Sequence, residues 1–135
     1  MPSSGICNIC GVETDFLHTS DNHRESLNCP SCGASSRNRH MAYVFSSFVG
    51  YPAPMASWEP RKDKRVFEPS GAGGLASVLG TKFDYYRTEY TNDTDLLTSD
   101  SRRFAQLEEL VYEDCFFDYV LTSDVLEHVR SDDKA

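Results

Sequence analysis

Two short cysteine pairs carry the most specific chemistry in this sequence. Cys7 and Cys10 are followed by Gly11, Cys29 and Cys32 by Gly33, and 18 residues separate the pairs. A two-residue gap lets both sulfurs of a pair reach one ion. The glycine behind it permits the turn that aims backbone amides at the thiolates. Two pairs complete a tetrahedral shell of four thiolates, the form of a structural Zn2+ site with no open position. The alternative is four unconnected thiols. Residues 1–34 are polar and hold too few apolar side chains to fold by burial, so metal binding is their source of order. His18 and His23 lie between the pairs and could replace a cysteine at poorer spacing; solvated surface histidines are the simpler account. Cys115 sits between Asp114 and Phe116, among acids that disfavour a thiolate, and reads as inert.

A second constellation begins at Glu68. Pro69, Ser70, Gly71, Ala72, Gly73 and Gly74 follow it, at a strand end and ahead of a helix. Glycines there allow a sharp turn and a close ligand approach near the positive end of the helix. Such a turn can also be a mere connection, and dinucleotide-binding loops look alike. Glu89, 18 residues beyond Gly71, could accept hydrogen bonds from ribose hydroxyls in either class. Asp124, Glu127 and His128 form a third group, at an expected helix start. His128 could be a general base, although a hydrogen-bonded helix histidine is the plainer account. The three together could hold a divalent cation, with a structural or orienting role as the commoner alternative.

The elements that must position these groups can be read from periodicity. Met41, Val44, Phe45 and Phe48 recur at helical spacing, with Ser35 or Ser36 to cap the start and Gly50 to end the helix. A proline-containing linker with a basic end follows. Val66 and Phe67 begin a strand, and Leu75, Val78 and Leu79 mark the helix after the glycine turn. Further strands are expected at Tyr85–Tyr90, near Phe104 and at Phe117–Thr122, with a helix start around Ser123–Leu126. Alternating strands and helices indicate an α/β fold with a parallel sheet. The expected organisation is a four-cysteine zinc module over 1–34, a connecting helix and linker over 35–64, and a partial Rossmann-like domain over 65–135.

Composition narrows the partners. The 135 residues carry a net charge of −8 and are 39% hydrophobic, as expected of a soluble globular protein. No apolar run approaches the ~18 residues of a membrane span. The N-terminus lacks the regions of a signal peptide, and paired cysteines suit a reducing compartment, so a cytoplasmic location is expected. Residues 1–65 hold seven Lys/Arg against six Asp/Glu, whereas 66–135 hold six against fifteen. The acidic half repels phosphate backbones; nucleic acid is disfavoured as a partner, although the first half or a local patch could still contact it.

The stretch Phe117-Asp118-Tyr119-Val120-Leu121-Thr122-Ser123-Asp124-Val125-Leu126-Glu127-His128-Val129 resembles the fourth-strand motif of class I S-adenosylmethionine-dependent methyltransferases. Glu68 and its glycine loop resemble that family's first motif, and Glu89 its acidic second-strand position. The knuckles followed by Arg37, Arg39 and a helix resemble a zinc module found in some members. The resemblance implies S-adenosylmethionine across the strand ends. Gly71, Gly73 and Gly74 would face its methionine part, Glu68 would lie near the ammonium, and Glu89 would hold the ribose. Gln106 and Leu107 would meet the adenine, and Thr122 and Ser123 would line the mouth where an unidentified methyl acceptor arrives.

The chain departs from the family pattern where Ser70 and Ala72 occupy glycine positions and Gln106 replaces an acid. The later strands of the family lie beyond these residues. The Phe117–Thr122 strand is therefore expected to pair with another copy or to belong to a longer parent chain, with weak or absent turnover from these residues alone. The alternative reading is a non-catalytic zinc-binding interaction module on a degenerate or truncated methyltransferase fold.

Overall fold

A computed structural model describes residues 3–135. The first two residues of the expected 1–34 module therefore lie outside the described residues. The chain forms two compact units. One takes the chain as far as Pro60 together with Ala72–Lys82; the other comprises Arg61–Gly71 and Phe83–Ala135.

In the first unit, β1 (Ser4–Ile6) pairs antiparallel with β2 (Glu13–Asp15). Helix α1 spans Ser36–Val49. Its capping is the one its sequence predicts: the Ser35 hydroxyl accepts the Asn38 amide at 3.3 Å. Gly50 closes the other end at φ 74°, donating its amide to the Ser46 carbonyl at 2.9 Å. The buried face differs from the expected stripe. Ala42, Phe45 and Ser46 are buried, while Val44 and Phe48 are 52% and 78% exposed. The reason lies one turn earlier, where Asn38 meets Gly73 of α2 (Gly73–Lys82). The small residues at 42 and 46 continue that face, and they allow a close approach that the more apolar stripe would not.

Residues after α1 fold back on the first cysteine pair. The amides of Met55 and Ala56 donate to the carbonyls of Asn8 and Ile9 at 3.0 and 2.8 Å. Trp58 donates its indole N–H to the Pro52 carbonyl at 2.6 Å and packs edge-on to Tyr51, with ring centroids 5.2 Å apart. Ile9, Met55, Leu75 and Leu79 are fully or almost fully buried and form the apolar centre of this unit.

The second unit is built on a four-stranded parallel sheet in the order β5-β4-β3-β6, from β3 (Arg61–Pro69), β4 (Phe83–Tyr90), β5 (Phe104–Ala105) and β6 (Tyr119–Val120). The expected parallel α/β architecture is present. Strand β3 begins earlier than its apolar residues suggest, and its register with β4 is irregular between Arg61 and Arg65. The strand expected over Phe117–Thr122 pairs formally only at Tyr119–Val120, although the Asp118 and Leu121 amides still donate to Arg65 and Phe67 carbonyls at 2.9 and 2.8 Å. The helix expected from Ser123 is absent. Asp124 adopts φ 55°, which an α-helix does not tolerate, and only a 3-10 turn at Leu126–His128 follows.

Alternation along the strands sorts the sheet into two faces. Phe67 pairs with Tyr86, and both join Ala105 and Leu107 in a buried cluster. Tyr112, Phe116, Phe117, Val125 and Val129 pack against that cluster. Phe67 and Phe117 stack with centroids 4.9 Å apart, which excludes water from that face. Glu68 pairs with Arg87, so Glu68, Tyr85, Arg87 and Glu89 share the opposite face. Helix α3 (Thr94–Ser99) is capped by Asp93, whose carboxylate accepts the Asp95 and Leu96 amides at 2.9 and 3.3 Å. No described helix is long and apolar enough to cross a membrane.

Candidate functional site

The two cysteine turns are built alike. Gly11 and Gly33 donate their amides to the carbonyls of Cys7 and Cys29, each at 2.8 Å. The Cys7 and Cys29 amides reach the carbonyls of Val12 and Ala34, each at 2.9 Å. Both glycines take a left-handed backbone, at φ 83° and 73°, which a side chain would strain. Arg39 helps seat the second turn by donating to the Ala34 carbonyl at 3.2 Å while its guanidinium lies 3.9 Å from the Phe16 ring centroid. Arg37 pairs with Glu25 at 2.7 Å and ties the intervening loop to α1.

These turns bring four sulfurs together, all within 4.8 Å of one another. Cys7 Sγ lies 3.8 Å from Cys32 Sγ, and Cys10 Sγ lies 3.7 Å from Cys29 Sγ. A disulfide requires about 2.0 Å. A tetrahedron with metal–sulfur bonds of ~2.3 Å has edges of about 3.8 Å. The cysteines are all free thiols, and these two separations match the edges of a zinc tetrathiolate. Burial pushes the Cys7 and Cys32 thiols up. Burial acts to raise Cys29 too, but the amides of Cys32 and Ser31 and the Cys10 side chain outweigh it and hold that thiol at about 7. Among the described residues no other group of three or more His, Cys, Asp or Glu converges in this way, so neither His18 and His23 nor Asp124, Glu127 and His128 form such a cluster.

The residues expected around a nucleotide-like cofactor fall into three places. Gly73 and Gly74 pack within the cysteine-bearing unit: a Cβ at Gly74 would lie 2.6 Å from the Cys32 carbonyl oxygen and 2.9 Å from its sulfur. Glu68 is buried on one face of the sheet, where its carboxylate accepts the Tyr85 hydroxyl. Burial, followed by the charge of Glu68, drives the Tyr85 pKa up, so the phenol stays a donor. Gly71 is fixed by this pair, because any Cβ there would collide with both the Glu68 carboxylate and the Tyr85 hydroxyl. Glu89 is exposed on the same face as Glu68.

Gln106, Leu107 and His128 instead line a cleft of about 390 Å3 in the second unit. Pro69, Ser70, Thr88, Tyr90 and Ala105 contribute the carboxyl ends of β3, β4 and β5, and Asp124, Val125 and Arg130 are among the residues of the far wall. Thr122 is exposed and Ser123 half-buried, and neither lines this cleft. His128 is exposed, with Nε2 4.0 Å from a Glu127 carboxylate oxygen. Ser70 holds the turn at the cleft edge with φ 60°, its amide donating to the Thr88 carbonyl at 2.7 Å.

Sequence reasoning does not single out Thr88, and it reads Tyr90, with Tyr85 and Tyr86, as core or interface rather than as a base-stacking platform. Both occupy alternate positions of a recognised strand, where Thr and Tyr are ordinary formers, so only the spatial cleft distinguishes them. No protein-family model matches the chain, no curated protein matches it in sequence, and no solved structure matches it in fold.

Proposed function

We propose that the chain carries a segment of an S-adenosylmethionine-dependent methyltransferase, of Rossmann-like fold, with a structural Zn2+ held by Cys7, Cys10, Cys29 and Cys32. The observation that carries the reading is where the cleft lies. It opens at the carboxyl ends of β3, β4 and β5, with residues that follow β6 on its far wall, and β3 is the strand at which the sheet order β5-β4-β3-β6 reverses. Open α/β sheets bind ligands at such reversal points. Its volume of about 390 Å3 is within the usual range for small-molecule sites.

The donor set suits a nucleoside-bearing ligand in part. Gln106 offers an amide with both donor and acceptor, and Tyr90 supplies an aromatic wall. Glu89 does not line the cleft, so a ribose contact from Glu89 is no part of this reading. When bound, the cofactor would supply an electrophilic methyl group. The chain would hold it in line with an acceptor and exclude water, which are the effects of alignment. His128 stands at the cleft wall as the residue able to take a proton from that acceptor. The β6 strand forms the sheet edge with Val120 56% exposed, and we assign it the pairing with a further strand, from a longer parent chain or a second copy.

Titration calorimetry with S-adenosylhomocysteine tests the reading. Binding is expected, with Gln106→Ala weakening it by about 0.5–1.5 kcal/mol, the net worth of an ordinary hydrogen bond. Absence of binding to the wild-type chain leaves the zinc-binding interaction module as the better account.

A further inference from the structure

Thr88 poses a specific chemical problem. It is 1% exposed, and its Oγ1 has no hydrogen-bond partner among the described residues. The same residue lines the cleft. Opposite Thr88 on β3 stands Pro69, which has no N–H to offer. The next donor, the Ser70 amide, is already committed to the carbonyl of Thr88. Alternation places the Thr88 side chain with those of Tyr86 and Tyr90 on the face that carries the aromatic cluster and borders the cleft. Its Oγ1 is covered in this structure, so a ligand contact requires the side chain to turn about χ1 toward the cleft.

A buried hydroxyl without a partner is destabilising, and valine would fill the same space on a strand without that cost. Among the described residues two other buried side-chain polar atoms are in the same condition, Asn8 Oδ1 and Ser46 Oγ, but neither residue lines the cleft. We propose that Thr88 is a ligand-binding residue whose Oγ1 hydrogen-bonds a hydroxyl of the sugar in a nucleoside ligand occupying this cleft. A sugar hydroxyl can both donate and accept, which matches the two unused capacities of the threonine. This rests on the cofactor reading above, and it assigns the sugar contact to the cleft face of β4, opposite to Glu89.

The test compares wild type, Thr88→Val and Thr88→Ser by thermal unfolding without ligand and by calorimetric titration with S-adenosylhomocysteine. Thr88→Val is expected to melt no lower than wild type yet to bind about fivefold to tenfold more weakly, the loss of one hydrogen bond, with Thr88→Ser close to wild type in affinity. A residue serving only the fold would not give this opposition. Wild-type binding with unchanged affinity in Thr88→Val overturns the assignment and leaves the cofactor reading standing. A clear fall in melting temperature of Thr88→Val also overturns it, because the hydroxyl would then have an internal partner. Failure of the wild type itself to bind overturns both.

Discussion

Gly74 approaches the Cys32 turn so closely that a methyl group on its Cα would sit 2.6 Å from the Cys32 carbonyl oxygen, 2.9 Å from the sulfur and 3.1 Å from the Ala34 Cβ. Two of these neighbours are a backbone atom and a short cysteine side chain held in the four-sulfur cluster, neither of which can swing aside. Gly74→Ala must therefore displace either α2 or the second cysteine turn. The expected result is a loss of about 1–3 kcal/mol in stability, typical of overpacking, with faster zinc loss to a chelator. Chelator competition followed by a thermal melt measures both.

The four-cysteine cluster gives a second prediction. One zinc per chain is expected by elemental analysis, with absorption spectroscopy giving sulfur neighbours at ~2.3 Å. Replacing Cys29 by Ser should abolish stoichiometric binding. The direction with pH follows from the thiols. Burial keeps Cys7 and Cys32 protonated near neutrality in the metal-free chain, so binding releases protons. Affinity should rise with pH and collapse on acidification. Affinity independent of pH between 6 and 8 would contradict the tetrathiolate.

Ser70 offers a stabilising change. Its φ of 60° lies in the left-handed region, disfavoured for residues with a Cβ by about 1–2 kcal/mol. Glycine relieves that strain but adds freedom to the unfolded chain, so Ser70→Gly should gain only about 0.5–1 kcal/mol. Its denaturation midpoint should rise without a change in slope.

Asp118 sets an acid limit. The Arg65 amide at 2.8 Å, assisted by Lys64 at 3.4 Å, holds its carboxyl below the usual value. A lowered folded pKa means that this stabilisation is fully present above the unfolded value of about 4 and is lost as pH falls through the folded one. Asp118→Asn should therefore flatten the acid limb of a stability–pH profile while leaving its neutral-to-basic shape unaltered. A profile identical to wild type below pH 4 would count against this role.

Some features were legible in the sequence because they depend on local chemistry. The cysteine spacing and its glycines specify two turns, and Ser35 and Gly50 mark the ends of α1. The face of α1 was not legible. Hydropathy favours Met41, Val44, Phe45 and Phe48, but close approach to a neighbouring helix favours the small Ala42 and Ser46, and only the fold reveals that neighbour. Residues expected around one ligand were likewise divided: alternation puts Glu68 and Glu89 on one sheet face, whereas Gln106 and Leu107 line the cleft. The charged run at Arg61–Lys64 reads as solvated linker, yet its backbone joins a strand because pairing with β4 needs no apolar side chains at an irregular, exposed end.

The placement of α2 bears on how the chain could be taken apart. Because Ala72–Lys82 belongs with the cysteine-bearing unit, the backbone passes between the two units three times, after Pro60, Gly71 and Lys82. One proteolytic cut after Pro60 would leave α2 on the C-terminal fragment while its packing partners Cys32, Ala34 and Asn38 stayed on the other. Such a nicked protein should elute as a single non-covalent complex until the metal is stripped, when the two fragments should part.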